Sequence, residues 1–132
     1  MAPTLIAAAT VGDLEALKDL VQQGANVEAT VAQNGKTALH FASEKGHIGV
    51  VDFLLKNGAN VDKLDAVGQS SVYMAAVNNR LSVVQLLIEQ GADVDRPENA
   101  GMTPLHTAAK LGRLSMVQHL CEQCAEIDKV GY

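Results

Sequence analysis

Three groups of residues carry side chains able to do chemistry. His40 and His106 are imidazoles that could serve as general bases, and Tyr73 stands midway between them, 33 residues from each. Asp62, Asp95 and Asp128 each follow a second polar residue two positions back, at Asn60, Asp93 and Glu126. Such pairs can exchange protons or hold a metal ion. Cys121-Glu122-Gln123-Cys124 has the spacing of a redox dithiol or of part of a metal site.

The spacing of the first two groups argues against all of these chemistries. Gly35-Lys36-Thr37-Ala38-Leu39-His40-Phe41-Ala42 returns as Gly68-Gln69-Ser70-Ser71-Val72-Tyr73-Met74-Ala75, and again as Gly101-Met102-Thr103-Pro104-Leu105-His106-Thr107-Ala108. An apolar block follows each one: Val50–Leu55, Val83–Ile88 and Met116–Cys121. A fixed period of this size means stacked supersecondary units, each too thin to bury its apolar face alone. A residue that recurs at the period serves the fold, whereas one in a changing column is free for function. His40 and His106 then read as structural groups that bond Thr37 and Thr103 three residues back and reach the neighbouring loop. Tyr73 with Ser70 keeps a hydroxyl pair in their place. The carboxylates recur on turns about 10 Å apart if the units stack as helical layers, and side-chain to backbone bonding in turns accounts for them.

The dithiol reading fails on its own terms. Cys121 stands in the column of Leu55 and Ile88 and is expected in the core. Cys124 occupies the column of Gly24, Gly58 and Gly91. Both lie at a helix C-terminus, where the dipole disfavours a thiolate. No second Cys/His pair has zinc spacing. There is also no phosphate loop, no Gly-x-Ser-x-Gly and no His-Glu-x-x-His. The chain is expected to be no enzyme, with no catalytic residue, metal site or cofactor.

The period and the phrase Thr103-Pro104-Leu105-His106-Thr107-Ala108 resemble the ankyrin repeat. The resemblance covers nearly the whole chain. It implies an all-α repeat solenoid of helix-turn-helix layers, with β-hairpin fingers projecting across the helices. Residues 1–132 then form one domain, with repeats at about 1–31, 32–64, 65–97 and 98–130. Many members of the family carry Asn, a hydroxylation target, in the column of Asp62, Asp95 and Asp128. Here that column is acidic, with Glu28 in the first repeat, which speaks against that modification.

Local signals agree. Thr37, Ser70 and Thr103 precede apolar runs, where a hydroxyl can cap a helix, and Pro104 takes the first helical position, which needs no N–H. Gly12, Gly46, Asn79 and Gly112 end the first helices, being residues that accept a left-handed backbone. Second helices are expected over 14–23, 48–57, 81–90 and 114–123, with Cys124 a strained replacement for the terminal glycine. Helices this short are marginal alone in water, so recurring Leu, Val and Ile must be buried on the neighbouring layer.

Composition narrows the function further. A chain of 132 residues can bury roughly two thirds of its unfolded surface, enough to fold alone. Aromatics are only 3%, so the core is aliphatic and rich in Ala. A net charge of −5 argues against general nucleic-acid binding. No apolar run is long enough to span a membrane, and Met1–Thr10 lacks a signal peptide's basic start. The expected compartment is the cytoplasm or nucleus.

Changing columns cluster in two places, the finger tips and the ends of the first helices. The resemblance implies that both line the concave groove that grips partners. The expected contact residues are Val31, Asn34 and Lys36 on the first finger, Leu64, Val67 and Gln69 on the second, and Met102 on the third. Val77, Asn78, Lys110 and Leu111 add to them from the first helices. Val31, Leu64, Val67, Met102, Val77 and Leu111 form an apolar row, as protein contacts do. At the ends, Asp19 and His119 replace the Phe53 and Leu86 of the inner repeats, as partial caps. Met116, Val117 and Leu120 stay apolar, and Val130-Gly131-Tyr132 stands where a further finger would begin. The chain is therefore read as a piece of a longer array, or as one whose last helix has a partner.

The expected function is non-catalytic binding of another protein through fingers and groove, with no nucleic acid and no membrane. The chain is expected to be a monomer, with end-to-end association through the C-terminal repeat left open. The alternatives are the recognition arm of a larger enzyme or channel, and a small stand-alone inhibitor of an enzyme.

Overall fold

The computed structural model describes residues 4–129, with side chains to 123. Eight helices lie within them: α1 (Leu5–Val11), α2 (Leu14–Gln22), α3 (Ala38–Lys45), α4 (Ile48–Lys56), α5 (Ser71–Val77), α6 (Leu81–Glu89), α7 (Pro104–Lys110) and α8 (Leu114–Lys129). They form antiparallel pairs stacked in two rows. The first helices follow one another as α1, α3, α5 and α7, and α2, α4 and α6 line up behind them.

The first-helix row is much the closer of the two. Its facing positions are small: Ala8, Ala9, Ala42, Ala75, Ala76 and Ala108 are all buried. The second-helix row is held apart by larger residues such as Phe53 and Leu86. Helix separation follows the side chains at the contact, so the first helices approach one another more closely than the second. Leu17, Leu54, Leu87, Met116 and Leu120 fill the space between the rows.

Each first helix is capped as its sequence requires. The side chains of Thr37, Ser70 and Thr103 accept the backbone N–H three residues on, and Thr4 does the same for α1. The tight turns between helices use left-handed Gly12, Gly46 and Gly112, and Asn79 takes the same conformation at φ 60°.

Two expectations fail here. The last second helix was expected to stop at 123, but α8 continues to Lys129. Without a glycine at 124 nothing turns the backbone, so Cys124 sits within the helix and is not a strained left-handed terminus. Glu126 and Asp128, expected on a turn, lie on helical backbone for the same reason, and their side chains are outside the described residues. Secondly, Met116 and Leu120 are not left uncovered at the end of the stack; both are buried within the last layer. Among the described residues, the large apolar side chains that remain open there are Leu111 and Leu114, at 50% and 79% exposure. Val130, Gly131 and Tyr132, read as the start of a further finger, lie outside the described residues.

Candidate functional site

The fingers are turns rather than strands. Among the described residues, extended pairing is limited to one antiparallel bridge, Thr30 with Thr37. In the first finger the Val31 N–H donates to the Lys36 carbonyl at 2.9 Å, and the Asn34 side chain accepts the Lys36 N–H at 3.0 Å. The second and third fingers build the same loop around an acid. Asp65 Oδ1 accepts the N–H groups of Val67 and Gln69, and Glu98 Oε1 accepts that of Met102. The backbone pairs Asp65 with Gln69 and Glu98 with Met102 close each loop.

Successive fingers are joined through the main chain. The Ala66 N–H donates to the Asn34 carbonyl and the Asn99 N–H to the Val67 carbonyl, each at 2.9 Å. So close an approach leaves little room for a side chain at Gly35 and less at Gly68. A Cβ on Gly35 would lie 3.1 Å from the Ala66 nitrogen, and one on Gly68 would lie 3.0 Å from the Asn99 nitrogen.

The recurring acids brace the finger bases. Asn60 and Asp93 accept the N–H two residues on, as Asn26 does. Glu28 then accepts the Asn60 N–H and Asp62 the Asp93 N–H, both at 2.9 Å, across to the next layer. These carboxylates are committed to backbone bonding. Among the described residues no three His, Cys, Asp or Glu side chains are grouped to hold a metal ion.

The histidine column divides into three cases. His40 is fully buried. Its Nδ1 accepts the Thr37 N–H at 3.0 Å, and its Nε2–H donates to the Gln69 carbonyl at 2.9 Å. Burial holds its pKa below the ordinary 6.5, against the opposing pull of the Gln69 carbonyl and Asp65. His106 keeps the bond to Thr103 at 3.0 Å but is exposed. Tyr73 does not pair with Ser70 through its hydroxyl; the hydroxyl reaches Thr107 in the next layer at 2.8 Å. Cys121, expected in the core, is exposed. Leu55 and Ile88 in its column are half-covered, while α8 has no second helix beyond it among the described residues.

The expected contact residues fall on the fingers and first-helix ends with uneven exposure. Val67 and Leu111 are open by about half, at 49% and 50%, and Lys110 is exposed. Val31, Leu64, Val77 and Met102 are half-covered, as are Asn34, Lys36, Gln69 and Asn78. Gln69 carries the carbonyl that receives His40, and Asn78 donates from its side chain to the Met74 carbonyl at 2.8 Å. Lys36 is placed 5.9 Å over the ring of Phe41, a half-buried residue of α3 absent from the expected set. Val11, 72% exposed, holds the position equivalent to Asn78 in the first layer. A further linking column went unread. His47 bonds the Thr10 carbonyl, Arg80 that of Glu44 and Arg113 that of Val77, each reaching back one layer. The signal was available, since these three residues also recur every 33 positions.

The family model for ankyrin repeats in three copies matches residues 3–65 and again 57–130. Among curated proteins, the ankyrin repeat domain-containing protein 40 of Homo sapiens is 39% identical over 62 residues, 47% of this chain and 17% of that protein. The 26S proteasome non-ATPase regulatory subunit 10 of Homo sapiens is 37% identical over 59 residues, 45% of this chain and 26% of that protein. The L-asparaginase of Dirofilaria immitis is 43% identical over 53 residues, 40% of this chain and 9% of that protein. The matched stretches cover about a quarter or less of each of these relatives.

Proposed function

This chain belongs to the ankyrin repeat family, and from that premise we propose that it binds another protein, without catalysis, through its fingers and the face of its first helices. Repeats of this family are generally protein–protein interaction modules. The repeats fall at about 1–31, 32–64, 65–97 and 98–130. The partner surface consists of Val31, Asn34, Lys36, Leu64, Val67, Gln69 and Met102 on the fingers, with Val77, Asn78, Lys110 and Leu111 on the helix ends. The observation that carries this reading is the main-chain bonding between fingers, Ala66 to Asn34 and Asn99 to Val67. Fingers fixed to one another present their tips as one surface, so little conformational freedom is lost when a partner arrives. The module works as a monomer in the cytoplasm or nucleus. Among the described residues no helix is long and apolar enough to cross a membrane.

A second reading is favoured by one comparison. Similarity to a short stretch of an L-asparaginase sets repeats like these beside a named enzyme activity in one protein. In that reading the repeats are the recognition arm of a larger enzyme. Affinity capture on the full chain, followed by mass spectrometry, separates the two. A recurrent partner lost on changing Leu64, Val67 and Met102 together supports the binding module. Catalytic activity in the full-length gene product supports the arm.

A further inference from the structure

The outer face of the stack carries a hollow that the proposed finger surface does not use. It is an open groove of about 480 Å³ between α2 and α4, with Val21 and Phe53 among its apolar lining and Glu15, Asp19 and Lys18 among its charged lining. Its origin lies in one column. Phe53 and Leu86 fill this column in the inner layers, whereas the first layer has Asp19, a short acid. Asp19 offers no apolar side chain beside Phe53 in this groove, and Phe53, like Leu86, is half-covered.

The charges are distributed unevenly. Lys56 is held by Asp52 at 2.9 Å. Lys18 meets Glu15 only at 3.9 Å, with the two side chains 48% and 86% exposed, a contact that contributes little in solvent. Asp19 is exposed, and its carboxylate has no partner among the described residues. An aromatic ring beside an unpaired carboxylate suits a planar cation with a long apolar stem. A guanidinium can stack on the ring and present a donor fork to the carboxylate, while its stem lies along Val21. A compact ammonium does this less well, being more strongly hydrated and unable to stack as a plane. The net charge of −5 also favours the approach of a basic partner.

We infer that the groove between α2 and α4 is a second docking site, taking an arginine side chain presented by a partner protein. It is independent of the fingers and would let the first two layers of the stack hold a partner from behind.

The test is a titration of isotope-labelled full chain with N-acetyl-arginine methylamide, followed by amide chemical shifts, with the lysine and citrulline analogues in parallel. The expected result is saturable shifts centred on residues 15–22 and 53–57 with the arginine compound. Binding should be at least roughly threefold weaker with lysine or citrulline, and weakened by a similar factor in Asp19→Asn. Asp19 is exposed, so this variant should keep its fold, and its unperturbed spectrum away from α2 verifies that. Shifts spread evenly over the acidic finger bases, or an Asp19→Asn variant that binds arginine unchanged, would overturn the site. Neither outcome bears on the fingers, whose test uses different residues and a different ligand.

Discussion

His40 donates from Nε2 to the carbonyl of Gln69, 29 residues further along, at 2.9 Å. One bond thereby ties the start of α3 to the next finger, while Nδ1 holds the Thr37 cap. Both ring nitrogens are used by a neutral imidazole with its proton on Nε2. Replacing His40 by Ala leaves the buried Thr37 N–H without its partner and takes from the Gln69 carbonyl one of its two donors, the other being the Asp65 N–H. The expected loss is about 1–3 kcal/mol. His106→Ala, at an exposed position, should lose clearly less. Urea unfolding of both variants checks this, and equal midpoints would contradict it.

Burial of the same imidazole gives stability a pH dependence. Burial sets the folded pKa of His40 below the ordinary 6.5. The unfolded chain therefore takes up this proton at a pH where the folded chain still refuses it. The contribution is fully present above pH 6.5 and declines as pH falls from there through the folded value. The stability gap between wild type and His40→Ala should narrow as pH falls below 6.5. A gap that widens on acidification would mean that the imidazole is held protonated.

Inter-layer burial should dominate stability. Leu54 and Leu87 have no exposure, and truncating either to Ala should lose about 2–5 kcal/mol. Leu114→Ala, 79% exposed, should change the unfolding midpoint little. A comparable loss at Leu114 would show that the end of the stack is covered in solution.

What the sequence revealed, and what it hid, follows from which signals repeat. Thr37, Ser70 and Thr103 as caps, Gly46 and Asn79 at the turns and the buried role of His40 were legible because each column appears several times. Cys124 was misread because column logic assumed that the helix must end where its neighbours end. A helix ends where the backbone has a reason to turn, and Cys124 supplies none. Cys121 was misread because its column is only half-covered even at Leu55 and Ile88, and the degree of cover on an outward-leaning helix face is something a residue type cannot report. The partial cover over Val31, Leu64 and Met102 depends on how the fingers lean on one another, and that is set by hydrogen bonds between main-chain groups. Such bonds leave only Gly35 and Gly68 as traces in the sequence.

The corrected helix reverses one expectation. If Cys124 ended α8 in a left-handed turn, Cys124→Gly would stabilise the chain. Within a continuous helix, glycine should instead lose about 1 kcal/mol. Thermal unfolding of this one variant gives the sign, and a raised midpoint would return the helix end to 123.

Finger stacking can be tested at two glycines of similar backbone. Gly58 and Gly68 have φ of 92° and 82°, and only Gly68 faces a neighbouring finger. Ala at either position incurs left-handed strain of about 1–2 kcal/mol. Gly68→Ala should lose more, because it also pushes against the Asn99 nitrogen, and amide exchange at Asn99 should quicken. Equal losses at the two sites would mean that the fingers are not held together.

The central claim is that finger tips bind a protein partner, and one measurement addresses it directly. Leu64, Val67 and Met102 are changed together to Ser, and binding to the captured partner is measured beside the unfolding midpoint. Gln90→Ala, at the exposed end of α6, serves as the control. A few desolvated apolar residues supply most of the energy of a protein interface. The triple change should therefore weaken binding by about a hundredfold or more, with the repeats still folded. A triple variant that binds its partner as tightly as wild type would contradict the account, as would one that no longer folds, since these side chains would then be core.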